Sequence, residues 1–581
     1  MTEAPNRMRI ILLGGYGVFG GKLAEALLRE ARFEVVVAGR SLEKAKAFCG
    51  IHGGTAARLD RTSPDFPAAL ATLKPDVTVD AAGPFQAYHR KAYAVARAAL
   101  QAGSHYLDLS DDAAFTGCVS SLDGQAKEAN RVILSGVSSV PALSSAAVEA
   151  MKDEFSRLDL IESAILPGNR APRGLSVIRA ILAQAGKPLA VTRDGGLQTV
   201  SGWSGLRRRR IGPDGPAGLP PRWSSYIGAP DLALFPARYN ARTVLFRAGL
   251  ELPLLHLGLW LLASPVRAGL VQSLEPAAKP LRVIAGWLEP FGSDRGGMEV
   301  RLAGLGHDGL PLARTWTLIA EAGDGPHVPA VAAAILCRRL GEGTVASGAR
   351  ACLGEVTLPD IASATAHLKV ATFQETDRQP TLFQQALGET FPALPECVRS
   401  LHTVFDRRCW SGEARVTRGS SALGSLCCRL IGFPPEGEAT PVTVTIERRG
   451  DKEHWLRDFA GKRFRSVLSL RGAPGSGIVQ ERFGPFVFDI HLNLKGGSLA
   501  YPVARGRFLG IPLPRWLLPV SAATEFNDSG RFNFDVKISL PGLGSLVHYQ
   551  GWLVPDDPAY NSGQASDVEA LNIQIKTKPK S

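Results

Sequence analysis

Apolar positions along this chain follow two different grammars. Between residues 8 and 136, short apolar runs alternate with longer stretches of helical period. The runs are 10–13, 34–38 (EVVVA), 55–60 (TAARLD), 76–82 (DVTVDAA), 104–109 (SHYLDL) and 131–136 (RVILSG). Strands alternating with helices predict a parallel, doubly wound sheet whose ligand lies across the carboxyl ends of the strands. Beyond about residue 380 the period falls to two, as in Phe532, Phe534, Val536 and Ile538. The runs 442–446, 463–470, 486–494, 532–540 and 547–554, separated by Gly- and Pro-rich turns, predict an antiparallel sheet with one wet face. Residues 313–322 (ARTWTLIAEA) read as a strand, followed by a helix through Arg339. The stretch 355–380 lacks periodicity and reads as a linker.

The fold class is therefore α/β in three parts. Residues 1–140 form a Rossmann domain and 141–360 an α/β substrate domain. A β-rich antiparallel domain spans 380–556, and the polar tail 557–581 is expected to be disordered.

The first strand runs into Gly15-x-Gly17-x-x-Gly20 and then a helix, the context in which a glycine turn becomes an anion site. Gly15 is expected to allow the tight turn, Gly17 to admit a pyrophosphate, and Gly20 to let the helix pack closely. The amides of the first turn, from Val18 and Phe19 onward, would face the phosphates. The second strand ends in Gly39-Arg40-Ser41, with Lys44 one turn into the next helix. An NAD site usually carries an acidic residue here, which would repel a 2′-phosphate, whereas a guanidinium pairs with one. NADP(H) is the expected cofactor, with Arg40, Ser41 and Lys44 on its phosphate and Asp60 near the adenine edge. Gly83, Pro84 and Phe85 follow the fourth strand and complete the expected cofactor set. His105 and Asp111, flanking the fifth strand, are the acid/base candidates, with a helix N-cap as the alternative role for Asp111.

The segments GGYGVFG, AGR, AAGPFQAYHRKAYAVARAALQAGSHYLDLSDD and GVSSVPALSSAAVEAM resemble the saccharopine dehydrogenase-like reductases. The resemblance spans about residues 8–360. It implies an NADP-binding Rossmann domain ahead of an α/β substrate domain, which the segment after residue 325 closes back against the nucleotide domain. The family's acidic residue after the Tyr-x-Asp strand is matched by Asp111 and Asp112. Its frequent Pro-Gly-Leu-Ser is replaced by Pro141-Ala142-Leu143-Ser144. Residues from about 380 to 556 are similar to a bacterial domain of unknown function found behind such reductases, which implies no activity.

The net charge of +12 has two local sources worth weighing. Arg207–Arg210 lies in a Gly/Pro-rich stretch and reads as a solvated loop, with an anionic lipid surface as the alternative. No nucleic-acid-binding motif surrounds it, so no nucleic-acid partner is expected. Residues 252–266 (LPLLHLGLWLLASPV) lack charge but are too short to span a bilayer, so they read as a buried helix or an interfacial one. His256 within them reads as a packed, hydrogen-bonded histidine. On residues 455–465, Arg457, Arg463 and Arg465 are expected to share one face of a strand pair. The eight cysteines show no metal spacing, so no metal is expected. No export segment precedes the first strand, which gives a cytoplasmic location, with peripheral membrane contact and a homodimer left open.

Two functions fit. One is an NADP(H)-dependent oxidoreductase acting on a C=N, C=O or activated C=C bond of a small-molecule or lipid-like substrate. The other is a non-catalytic dinucleotide-binding protein whose later domains are interaction modules.

Overall fold

The computed structural model describes residues 7–86, 88, 93–172 and 174–556. Its first strand, β1 (Met8–Leu13), buries Ile10, Ile11, Leu12 and Leu13 and is central for that reason. It pairs in parallel with β2 (Phe33–Gly39) on one side and β4 (Val77–Asp80) on the other. β3 (Thr55–Arg58) continues outward from β2, and β5 (His105–Asp108) and β6 (Val132–Ser135) continue outward from β4, all parallel. The order 3-2-1-4-5-6 opens a crevice where the winding reverses, between β1 and β4. Helices α1 (Val18–Leu28) and α2 (Leu42–His52) are the first two crossovers.

A seventh parallel strand, Gly348–Ala351, docks on β6 after a second sheet has been built in between. The nucleotide domain therefore does not end at residue 140. The helix Val328–Gly341 brings the chain back, burying apolar residues from Val328 to Leu340. The stretch 355–380 is likewise not a linker. It holds a helix, Leu358–Thr365, started by a capping box between Thr357 and Asp360, and a strand, Val370–Asp377. Gly348–Ala351 and Leu358–Thr365 were hidden because a four-residue strand and a two-turn helix are too short to display a period.

The second sheet has nine strands and is mixed. At its centre Thr243–Ala248 runs parallel to Phe155–Leu166. Residues 207–210, read as a loop, belong to the strand Arg207–Ile211, antiparallel to Leu219–Tyr226. Strand alternation turns Arg207 and Arg209 inward onto buried Glu162, with Arg209 also paired to Glu299, while Arg208 and Arg210 stay exposed. Half of the basic run is thus spent on internal ion pairs.

Residues 252–266 form the helix Pro253–Arg267, with His256, Leu259, Ala263 and Val266 buried. His256 Nε2 lies 3.0 Å from Ser225 Oγ, and its Nδ1 accepts from the Leu250 amide. The opposite side is not covered: Leu254 and Leu261 are 69% and 65% exposed. Among the described residues no helix is long and apolar enough to cross a membrane.

The chain divides into two compact units. One comprises the residues up to Thr192, with Leu197–Leu302 and Arg314–Thr376. The other is chiefly the chain from Asp377 onward, with Arg193–Gly196 and Ala303–Ala313. The second unit is built on a 13-stranded sheet, antiparallel in every recorded pairing, that curls around an apolar core. Cross-strand register corrects one expectation there. Arg457 pairs with Phe464, and Asp458 and Leu456 pair with Arg463 and Arg465. Arg457 therefore shares the inner face with Trp455 and Phe464, and Arg463 and Arg465 lie on the other side. Residues 557–581, expected to be disordered, lie outside the described residues.

Candidate nucleotide-binding and active site

The turn between β1 and α1 carries its strain at Gly14 (φ +73°), where a Cβ would sit 2.8 Å from the Ala81 carbonyl oxygen. The tight-turn glycine is thus Gly14, one residue before the Gly15 expected for that role. Gly15 is packed instead, its Cβ position lying 3.1 Å from Leu12 and Val37 side-chain atoms. Gly20 fits its expected role: a Cβ there would come within 2.3 Å of the Gly14 carbonyl oxygen, so only glycine lets α1 start this close to the loop.

Gly17 is different in kind. Its backbone is ordinary extended (φ −78°, ψ 176°), and a Cβ would meet one neighbour, the Gly14 carbonyl oxygen at 3.0 Å. The space in front of it is open. No side chain caps α1 and no acidic residue stands in its first turn, so the amides from Val18 onward point out of the helix with the positive end of its dipole behind them. A pyrophosphate fits such a place by charge and by room.

At the end of β2 the Tyr16 hydroxyl accepts from the Ser41 amide at 3.2 Å. Tyr16 covers Gly39, where a Cβ would fall 2.5 Å from the hydroxyl oxygen. Arg40 projects from this junction, exposed, with no hydrogen bond or ion pair among the described residues. Ser41 is the N-cap of α2, its oxygen accepting from the Lys44 amide at 3.3 Å, which leaves the hydroxyl proton as a donor. Lys44 is exposed in the same first turn. Asp60 lies just past β3, where its carboxylate binds the Thr62 amide and hydroxyl, and these bonds with the nearby Arg40 charge hold its pKa low.

Two buried carboxylates end β4 and β5 side by side in register, Asp80 and Asp108. Asp80 accepts from the Tyr88 hydroxyl at 2.7 Å and the Ala82 amide at 3.0 Å. Asp108 Oδ1 accepts from the Ser110 and Gly136 amides and from Ser135 Oγ. Burial outweighs these bonds and raises Asp108 to about 7. Together they tie down the loops after β4, β5 and β6 that floor the crevice.

The remaining candidates separate. Gly83 and Pro84 follow β4 at the crevice edge, but Phe85 is buried, stacks on Tyr88 and packs against the tilted Phe115 ring, so it is a packing residue. Asp111 is exposed beyond the carboxyl end of β5 and accepts from Gln86 Nε2 at 3.2 Å. The helix cap belongs not to Asp111 but to Asp112, which accepts from the Phe115 amide at 2.7 Å.

His105 is the first residue of β5, hence at the edge of the sheet opposite the glycine loop. Its Nδ1 accepts from the Val132 amide at 3.0 Å, and burial with Arg131 nearby depresses its pKa to about 4. The structure does not bring His105 to the crevice. The signal was present in SHYLDL: in a parallel sheet the residue that opens a strand lies away from the ligand edge. Sequence reasoning also passed over Gly14, Tyr16, Asp80 and Tyr88; for Gly14 the doubled glycine was the available clue, whereas the Tyr16–Gly39 contact left none.

Residues 10–134 match the family model described as the saccharopine dehydrogenase NADP binding domain, and residues 394–553 match a domain of unknown function, DUF4166. No curated protein matches the chain significantly. Among solved structures, saccharopine dehydrogenase (L-Glu forming) from Saccharomyces cerevisiae is 16% identical with a TM-score of 0.46, covering 64% of this chain and 100% of its own. Biliverdin reductase from Synechocystis sp. PCC 6803, in complex with biliverdin and NADP+, is 12% identical with a TM-score of 0.28 over 62% of this chain and 96% of its own. A 3-ketoreductase from Actinomadura kijaniata, in complex with NADP and TDP-benzene, is 13% identical with a TM-score of 0.29 over 62% and 97%. The N-terminal domain is thus an NADP-binding domain of the saccharopine dehydrogenase type, with a DUF4166 domain behind it.

Proposed function

We propose that this protein is an NADP(H)-dependent oxidoreductase that moves a hydride to or from a C=N, C=O or activated C=C bond of a small or lipid-like substrate. The observation that carries the reading is the uncapped start of α1 opening onto the space before Gly17, beside the unengaged guanidinium of Arg40. The nicotinamide, when bound, would give or take the hydride. The chain's own part is to hold, orient and protonate. The amides of Val18, Phe19 and Gly20 hold the pyrophosphate, and Arg40, the Ser41 hydroxyl and Lys44 meet the 2′-phosphate. Asp80 and Asp108 fix the loops beneath the substrate. Asp111, held by Gln86 at the carboxyl edge of β5, is the group placed to give or take a proton. His105 takes no part.

The lipid-like end of the substrate range is supported by apolar side chains left uncovered in the same unit. Leu254 and Leu261 on Pro253–Arg267 and Trp287 at the end of Ala278–Trp287 (72% exposed) each stand in solvent, as side chains that meet a lipid interface would. The test is NADPH oxidation by the full chain over a panel of carbonyl, imine and enoyl compounds of rising chain length, with Asp111→Asn alongside. Turnover that Asp111→Asn depresses supports the reading. Tight NADPH binding with no turnover of any member overturns it in favour of a non-catalytic binding module.

A further inference from the structure

The 13-stranded sheet of the C-terminal unit curves around a half-open cavity of about 560 Å³, within the roughly 300–1,000 Å³ typical of small-molecule sites. Its wall is drawn from strands far apart in the sheet order, with Phe464 and Leu468 on one side and Phe532 and Phe534 on the other. The inner face that alternation predicts as a core is therefore not closed by its own side chains. Strand curvature holds the two halves apart.

The carboxylates of the wall and its inward arginine are already matched. Arg457 lies over the Trp455 and Phe464 rings at 4.8 and 5.5 Å, donates to Ser466 Oγ at 2.8 Å, and has its charge 3.5 Å from Glu481. Tyr501 donates to Glu525 at 2.6 Å, and His402 Nε2 lies 2.6 Å from the same oxygen. The two wall carboxylates thus have partners, and so does the inward arginine. Arg465, the other cation of the wall, is exposed, on the far side of its strand from Phe464. Nothing inside offers an unmatched charge to a buried carboxylate or phosphate, and leaving such a group unpaired there would be costly.

One stretch of the wall is thin. Leu513, Leu517 and Pro519 line the cavity, while Leu509, Ile511, Trp516 and Val520 along the same segment are 72%, 69%, 69% and 63% exposed. An apolar segment with cavity on one side and solvent on the other suits the entry of a water-insoluble molecule.

We infer that the C-terminal unit is a receptor for an uncharged long-chain lipid, whose hydrocarbon occupies this cavity and enters past the segment 509–520. The inference stands apart from the redox reading, since every residue it uses lies in the second unit. It is tested on the full chain with the neutral fluorophore N-phenyl-1-naphthylamine. Saturable binding is expected, displaced by 1-hexadecanol at least tenfold more effectively than by hexadecanoate. Ala523 lines the cavity and Leu513 its thin wall. Ala523→Phe fills the space and Leu513→Glu charges its wall, so each should weaken probe binding about tenfold or more with an unchanged circular dichroism melt. Leu197→Ala, at an exposed apolar residue of the other unit, should bind as wild type and exclude adsorption to the surface. Absence of saturable binding by the folded protein overturns the inference. So does wild-type binding by both cavity variants, or equal displacement by hexadecanoate. Should one variant fail to fold, the other decides.

Discussion

The Tyr16 hydroxyl accepts a hydrogen bond from the Ser41 amide at 3.2 Å, tying the glycine loop to the turn that carries Arg40. The proposed pyrophosphate and 2′-phosphate subsites are thereby joined, and their contributions can be separated by substitution at Arg40. Arg40→Ala is expected to weaken NADPH binding roughly tenfold to a hundredfold, the worth of a charge-assisted contact of about 1.5–3 kcal/mol, while NADH binding stays unchanged. Titration of both cofactors into wild type and variant checks it. Equal affinity of the wild type for the two would refute the assignment.

Two glycines three residues apart should fail in opposite ways. Gly14→Ala places a side chain at φ +73° and against the Ala81 carbonyl, so it should lower the melting temperature. Gly17→Val meets no backbone strain at φ −78°; its Cβ touches the Gly14 carbonyl oxygen at 3.0 Å and its methyl groups fill the space before the helix start. It should abolish nucleotide binding with the melt almost unchanged. Retained affinity in Gly17→Val would make the loop a packing feature.

The acid/base candidates should also part. Asp111→Asn is expected to depress kcat tenfold or more with little change in stability, because its side chain is exposed. His105→Gln should leave kcat alone and cost about 1 kcal/mol of stability, the loss of the bond from Val132. Chemical denaturation beside steady-state kinetics distinguishes the two; a kcat loss in His105→Gln contradicts the placement.

Asp108 predicts a pH dependence of stability. Burial raises its folded pKa to about 7, against about 4 in the unfolded chain. Below pH 4 both states are protonated and no penalty applies. Between 4 and 7 the unfolded state releases a proton that the folded state keeps, so stability falls as pH rises, by a few kcal/mol at most, and levels off above 7. Asp231, raised to about 7 by burial, adds in the same sense. Asp108→Asn keeps an acceptor for the three donors and should flatten part of that slope. Urea melts of both proteins at pH 4.5, 6 and 8 test it, and parallel curves would show that Asp108 does not titrate there.

The exposed leucines of Pro253–Arg267 predict co-flotation of the full chain with liposomes. Binding should survive high salt, since Arg207 and Arg209 are engaged internally and the contact is apolar. Leu254→Ser with Leu261→Ser should release the protein. A wild type that stays in the soluble fraction throughout would assign this surface to another use.

The sequence alone determined what is local. Strand, glycine turn and helix stand in the order the chemistry needs, Arg40 replaces the acid at the end of β2, and alternation from Phe532 to Ile538 marks a sheet with one buried face. Each depends on neighbours a few residues apart, where spacing is structure. The tertiary fold decided the rest. Arg457 parts from Arg463 and Arg465 because cross-strand register, not distance along the chain, assigns faces. Arg209 turns inward because Glu162 and Glu299, remote in sequence, arrive beneath it. Gly348–Ala351 completes the first sheet because β6 presents an unpaired edge, which a four-residue strand of low hydrophobicity does not announce. The cavity of the C-terminal unit comes from the curvature of thirteen strands together, and no single strand's pattern of apolar positions distinguishes a filled core from a hollow one.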